Sequence, residues 1–575
     1  MSAMADAEAP FLQPAEDDKA APLAGVSDFR GRPVRRAGSG GWRSALFVCG
    51  TCSRTLCSPV HSLSNHLLDR LLLWSIRRAV VEMASSFGYF GVSANLITYL
   101  TGPLGHSNAA AAAAVNAWSG TACLMPLLGA FVADSWLGRY RSIIVACTLY
   151  VLGYGMMTLV TTLQAQQSSP AGDIHSSSRP SSLQVALFYA SLYLIPLAQG
   201  ADKPCGLAFA ADQFDADHPK ERASRSSLFN WWYFSMAIGI SIAVAVVSYI
   251  QENVGWGIGF GMLCAIMFCA FFIFLSGTPT YRLYAPIPGA ESPFARLGRS
   301  LVALARSSSF FCTKGCQDED GAAKSEEARG VLRLLPIWAA CLAYGVAYAQ
   351  IMTLFNKQGR TLDRRVFGGL ELPPAALQTL GPASILLFVP IYDRLLVPAL
   401  GRATGKPSGL TLLQRVGVGM VVSMGAVIVA ALVEGWRLET AREHGLVDDA
   451  GATVPMSWAW LVPQYVMMGV ADVLTVVGLQ EFFYDQMPRE LRSLGLALYF
   501  SVMGVGGFIS SALISFIDRV TRSGGGDGWF ADNLNRAHLD YFYWLLAGLS
   551  AAELVLFVWL ASSYAYNNNH KRIQH

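Results

Sequence analysis

Charge is what this chain has least of. Asp, Glu, Lys and Arg together make 14% of its 575 residues, against about a quarter in a soluble domain. That excludes a large solvated globular domain, whereas a net charge of only +3 says little about nucleic acid and the distribution of charge says more. Cysteine is sparse and badly placed for disulfides. Cys123, Cys147, Cys264, Cys269 and Cys341 fall inside apolar stretches, and Cys312 and Cys316 fall in a polar stretch expected in the cytosol, so no disulfide framework is expected. The N-terminus lacks the positive start and apolar core of a signal peptide. No metal-ligand cluster, nucleophile elbow or phosphate loop lies in the apolar stretches, so neither an enzyme nor a metal or cofactor site is expected.

Long apolar runs are what is there. A bilayer core of about 30 Å takes about 20 apolar residues per helix. Candidate spans run over 81–101, 109–133, 141–164, 183–209, 228–250, 256–275, 331–355, 374–392, 413–434, 457–479, 492–517 and 540–563. A backbone in lipid must satisfy its own hydrogen bonds, so each is predicted as a helix. The fourth span contains Gly200-Ala201-Asp202-Lys203-Pro204. A charge at that depth costs roughly 2.5–3.5 kcal/mol on insertion scales and needs a partner, a wet cavity or a function. Lys203 is therefore the first pointer to a protein that moves a solute.

Basic residues follow the even-numbered spans: Arg139 and Arg141; Lys220, Arg222 and Arg225; Arg394, Arg402, Lys406 and Arg415; Arg489 and Arg492; Lys571 and Arg572. The positive-inside rule then puts both termini in the cytosol. The segment after the seventh span is an exception, with Lys357, Arg360, Arg364 and Arg365. The spans form two sets of six. The expected division is a disordered cytosolic N-terminus over 1–41, a six-helix bundle over 42–277, a cytosolic linker over 278–329, a second six-helix bundle over 330–563 and a cytosolic tail over 564–575. Two such halves suit a secondary transporter with its solute site at the midplane.

Several segments carry a resemblance. Gly129-Ala-Phe-Val-Ala-Asp134-Ser-Trp-Leu-Gly-Arg139-Tyr140 closes the second span and resembles the loop motif of the major facilitator superfamily. Asn95–Leu100, Lys203-Pro204-Cys205, Ala211–Asp215, Phe229–Ser235, Leu335–Trp338, Ala349-Gln350, Pro463–Tyr465 and Glu481–Tyr484 are similar to the proton-dependent oligopeptide transporter family, in its plant nitrate and peptide branch. The resemblance runs from about Val81 to Ser563. It implies an all-α membrane protein of major facilitator type, with about twelve transmembrane helices in two six-helix bundles. It also implies residue roles. Glu82, Lys203 and Asp472 stand for the proton-coupling groups, and Asp134 and Arg139 for a cytosolic gate latch. Lys203, Tyr89, Tyr348, Gln350 and Gln464 would line the solute site.

This chain departs from that pattern on its first helix. Glu82 is present, but Ser85 and Ser86 stand where the family's Glu-x-x-Glu-Arg motif has its second Glu and its Arg. Asp472 is one methylene shorter than the usual Glu. Ala237 replaces a frequent Asn, Tyr348 stands where nitrate carriers can place a His, and Phe90 lacks a hydroxyl that the family often has. The pocket should thus be less polar than a peptide site. Residues 49–80, with Cys49, Cys52, Cys57, His61 and His66, interrupt the first helix. They fit no standard zinc finger and read as an atypical insertion. Transcript sequencing should then join Val48 almost directly to Val81.

The sequence thus points to a multi-pass integral protein of the plasma or vacuolar membrane. The expected activity is proton-coupled symport of a small anionic or zwitterionic solute (nitrate, a di- or tripeptide or another organic anion) by alternating access. The proton gradient is the energy source, and no cofactor is involved. The expected partners are that solute and the bilayer, with no nucleic acid and no oligomeric state specified. The alternative is an uncoupled facilitator or a non-transporting solute sensor of the same fold.

Overall fold

The structure is a computed structural model that describes residues 22–35, 39–40, 44, 81–167, 181–214, 236, 239–284, 298–300, 302, 328–366, 371–405, 410–487, 492–523 and 528–564. The expected insertion over 49–80, most of the linker and the C-terminal tail lie outside these residues.

In chain order the strands are β1 (Pro22–Ser27), β2 (Pro33–Arg35), β3 (Leu283–Tyr284), β4 (Leu362–Asp363) and β5 (Val454–Ser457). The helices begin with α1 (Val81–Ser93), α2 (Leu96–Thr101), α3 (Asn108–Val132), α4 (Arg139–Gln167), α5 (Ser182–Ala211), α6 (Ser248–Asn253) and α7 (Trp256–Ser276). They continue with α8 (Leu335–Ala339), α9 (Leu342–Tyr348), α10 (Leu354–Arg360), α11 (Leu380–Ile391), α12 (Val397–Thr404), α13 (Leu412–Glu443), α14 (Val462–Gln486), α15 (Arg492–Arg522) and α16 (Leu539–Ser563).

Among the described residues, 9 helices are long and apolar enough to cross a membrane, and a bent pair, Ala328–Ala339 with Leu342–Tyr348, makes a tenth with a 46° break. These match ten of the expected spans. The first expected span, 81–101, is instead two helices parted at Ala94 and Asn95. The span expected over 228–250 is described only in part. Local chemistry fixes several ends. Ser107 caps α3 by accepting from the Ala110 N–H at 3.3 Å, and Thr411 with Gln414 forms a capping box on α13. After α3 the chain makes one π turn over Ala133–Leu137 and then turns at Gly138, whose φ of 74° suits glycine.

By internal contacts the chain divides into two compact units. One comprises Met1–Met83, Gly206–Ser235 and Cys269–Ala290. It contains a small sheet in the order β2-β1-β3, so the segment expected as a disordered N-terminus carries a hairpin from Pro22. Its turn is local chemistry: Asp28 accepts from the N–H groups of Arg30 and Arg32 at 2.9 and 2.8 Å. Arg282 is buried there, donating to the Ser39 carbonyl at 2.8 Å and the Gln213 carbonyl at 3.2 Å.

The other unit comprises Ala84–Cys205, Met236–Phe268 and Glu291–His575. In it α13 packs on α14 and α16, α9 packs on α15, and α3 packs along α15. Small residues allow the last two approaches, as expected where lipid gives helices no hydrophobic reason to associate. A Cβ at Gly120 would stand 2.7 Å from the Gly504 carbonyl oxygen, and one at Gly506 would stand 2.6 Å from the Gly345 Cα. Side-chain polar contacts accompany them. Asn116 and Gln350 each donate to the Ser510 hydroxyl at 2.9 Å. A fully buried ion pair, Arg437 with Glu434 at 2.6 Å, ties α13 to the turn before α16 through Asn535 at 2.8 Å.

Candidate functional site

The lysine singled out by its cost sits late in α5, about two turns past the mid-helix Pro196 and next to Pro204. Its Nζ donates to the Ser86 hydroxyl of α1 at 3.1 Å. That hydroxyl occupies the position where the resembling family has its arginine. The missing guanidinium is thus replaced by a short neutral acceptor, and the ammonium reaches across to use it. Ser85 and Ser86 are both buried. Asp202, beside Lys203, is also buried, on the side of Tyr154 and Cys147.

Asp472 lies midway along α14. It accepts from the Tyr344 hydroxyl of α9 at 2.5 Å and makes no ion pair among the described residues. Lys203 thus reaches a hydroxyl on α1, and Asp472 is held by a hydroxyl on α9. Tyr344 also faces the other way. Its backbone N–H, with that of Ala343, points at the Glu553 carboxylate of α16, at 3.3 and 2.7 Å. These are the first amide hydrogens after the bend at 339–342, which the break leaves without helical partners. Sequence reading missed Glu553 because no family motif covers it. The available signal was an acid inside the last apolar span.

Tyr89 is buried, stacked on Trp118 with centroids 5.0 Å apart, and its hydroxyl lies 3.3 Å from that of Ser119. Trp118 is in turn fixed by donating to the Leu192 carbonyl at 2.9 Å. Tyr348 is half-buried on α9, within electrostatic reach of both Asp472 and Tyr89. Tyr89, Tyr348 and Asp472 thus converge from α1, α9 and α14. Gln350 is fully buried and spent on the Val346 carbonyl and Ser510. Gln464 is fully buried and donates to Gln358 at 3.2 Å. Glu82 lies in the first turn of α1 and Asp134 in the π turn after α3; their side chains are outside the described residues. Arg139 opens α4 and is exposed. No group of three or more His, Cys, Asp or Glu able to hold a metal occurs among the described residues.

Long apolar helices, some bent or broken, with buried polar side chains and small-residue crossings together define a multi-pass membrane protein. Comparison with known proteins gives the family. The profile described as "PTR2: POT family" matches residues 140–530. Protein NRT1/ PTR FAMILY 5.10 of Arabidopsis thaliana is 47% identical over 96% of this chain and 98% of its own length. Protein NRT1/ PTR FAMILY 5.16 of the same plant is 43% identical over 98% and 99%. The crystal structure of an auto-inhibited POT family peptide transporter superposes with a TM-score of 0.65 at 20% identity, covering 85% of this chain and 96% of that one. A POT family transporter in complex with 5-aminolevulinic acid superposes at 0.60 and 14% identity, covering 84% and 94%. The chain belongs to the POT family.

Proposed function

We propose that the protein is a proton-coupled symporter of a small anionic or zwitterionic solute, working by alternating access. The observation that carries this reading is the reach of Lys203 from α5 to α1, where its Nζ donates to the Ser86 hydroxyl at 3.1 Å. A carboxylate or nitrate oxygen is a stronger acceptor for an ammonium than a serine is, so an incoming anion displaces Ser86. Asp472, held by Tyr344, is the titrating acid. Protonation removes its charge and weakens its claim on the Tyr344 hydroxyl, which biases how α14 sits against the bent helix α9. Glu82 is the second acid on the path, and Asp134 with Arg139 latches the cytosolic mouth. Tyr89, Tyr348, Gln350 and Gln464 surround the solute. The POT family transporter solved with 5-aminolevulinic acid supports a solute carrying both a carboxylate and an amine. The membrane is the plasma or the vacuolar membrane.

The absence of two motif charges at Ser85 and Ser86 favours a second reading, an uncoupled facilitator or a solute sensor. Uptake in liposomes at two external pH values separates them. Accumulation that follows the proton gradient supports symport. Equilibration indifferent to pH supports a facilitator. No uptake across nitrate, dipeptides and organic anions supports a sensor.

A further inference from the structure

Lys357 stands at the end of the helices that the charge bias assigns to the non-cytosolic side, beyond the last residue of the seventh span. The sequence counts it among loop charges, yet it is only 5% exposed. Its Nζ donates to the Thr101 hydroxyl at 2.5 Å, a hydroxyl whose own proton goes to the Ile97 carbonyl at 2.9 Å. No carboxylate lies within ion-pairing distance of it among the described residues. The contact joins α10, in the second half of the chain, to α2, in the first. Its neighbours make the same crossing. Asn356 and Gln378 both donate to the Ala94 carbonyl, at 2.7 and 3.0 Å. Asn108 donates to the carbonyls of Ala531 and Asp532 at 2.9 and 3.2 Å. Together they tie the two halves of the chain at this end, the contacts that alternating access would need to part to open a mouth here.

We infer that Lys357 is a proton-binding site that operates this mouth: the closed mouth holds the neutral amine, and opening lets the amine take up a proton from the non-cytosolic solution. The inference rests on the alternating-access reading. A buried ammonium without a counter-charge is costly, whereas a neutral amine donates to Thr101 as well. The charged groups facing Lys357 are Arg360 on its own helix and Asp532 before α16. Asp532 is already engaged by the Asn108 backbone N–H at 3.0 Å. On the elements packed against α10, α2 offers Tyr99, which turns to Gln164 at 3.0 Å, and Tyr465 and Tyr543 flank Phe355. The 374–379 turn carries no titratable group. Burial, followed by Arg360, pushes the Lys357 amine down to about 7, with Asp532 opposing.

The sign follows. A lysine in water titrates at about 10.4, so above that pH both states are neutral and closure carries no penalty. Between there and about 7 the open mouth is protonated and the closed one is not. Closure is penalised up to tenfold more per pH unit as the pH falls. Below about 7 both states are charged and the penalty is constant. The mouth therefore opens at neutral and acid external pH and shuts in alkali.

The test labels Ser119→Cys with a membrane-impermeant sulfonated maleimide in right-side-out vesicles, without solute or gradient. It is read by mass spectrometry of the peptide carrying that position. Dividing by the Lys357→Met rate at each pH cancels the thiol's own titration. The expected ratio is high at about pH 6 and falls by up to tenfold per unit between about pH 7 and about pH 9. Lys357→Arg, charged throughout, keeps labelling high at every pH, and its ratio to wild type serves if the Met variant does not reach the membrane. A flat ratio, faster labelling of the Met variant at about pH 6, or no labelling in any variant overturns the inference. Failure of proton-coupled uptake would overturn the symport reading and leave this measurement standing.

Discussion

The Tyr344 hydroxyl donates to the Asp472 carboxylate at 2.5 Å across α9 and α14. The same residue's amide leans on Glu553. One tyrosine at a helix bend thus reads the acid on one neighbour and is positioned by the acid on another. If Asp472 is the coupling acid, Asp472→Asn abolishes the dependence of uptake on external pH while facilitated exchange at constant pH survives. Tyr344→Phe leaves the carboxylate without its donor, an imbalance of about 1–3 kcal/mol, and moves the pH profile without abolishing uptake. Parallel pH series in liposomes check both, and an unchanged profile in Asp472→Asn removes it from coupling.

Lys203→Ala reduces uptake to background at normal protein level in the membrane. Lys203→Arg retains charge but changes its reach and geometry, and keeps binding at reduced rate. Transport of the Ala variant at wild-type affinity takes the lysine out of solute recognition.

Arg437 and Glu434 are both fully buried, so removing either partner strands a charge. Arg437→Met or Glu434→Gln lowers stability by about 3–5 kcal/mol, whereas the paired apolar replacement of both recovers most of it. Thermal unfolding in detergent, compared across the two single variants and the double, measures this directly.

Gly120 and Gly504 set how closely α3 and α15 approach. Gly120→Ala puts a methyl 2.7 Å from a backbone oxygen that cannot rotate away, a cost of about 1–3 kcal/mol to the closed packing. The expected result is faster maleimide labelling at position 119 from the non-cytosolic side. Equal rates would mean the glycine contact does not limit closure.

Hydropathy alone located ten of the spans, because lipid allows a long apolar run little besides a helix. It could not show the break at Ala94 and Asn95 or the 46° bend near Ala340, since tertiary contacts to Asn356, Gln378 and Glu553 satisfy the freed backbone there. Lys203 was legible from its depth, but not its contact with Ser86, since Ser86 was visible only as a departure from a motif. Lys357 was misplaced for the opposite reason. Its charge sits at the end of an apolar run, where sequence reads a loop, and only the fold shows α2 lying over it. Tyr344 and Glu553 carried no motif, and their meeting depends on the bend.

The Ala94 carbonyl accepts from Asn356 and Gln378 together. A single oxygen serving two amides from different segments makes those segments interdependent. Peeling away one leaves the other bonded to an atom whose position the first helped to fix. Parting at this end is therefore a concerted step rather than a gradual one, with few half-open forms along the way.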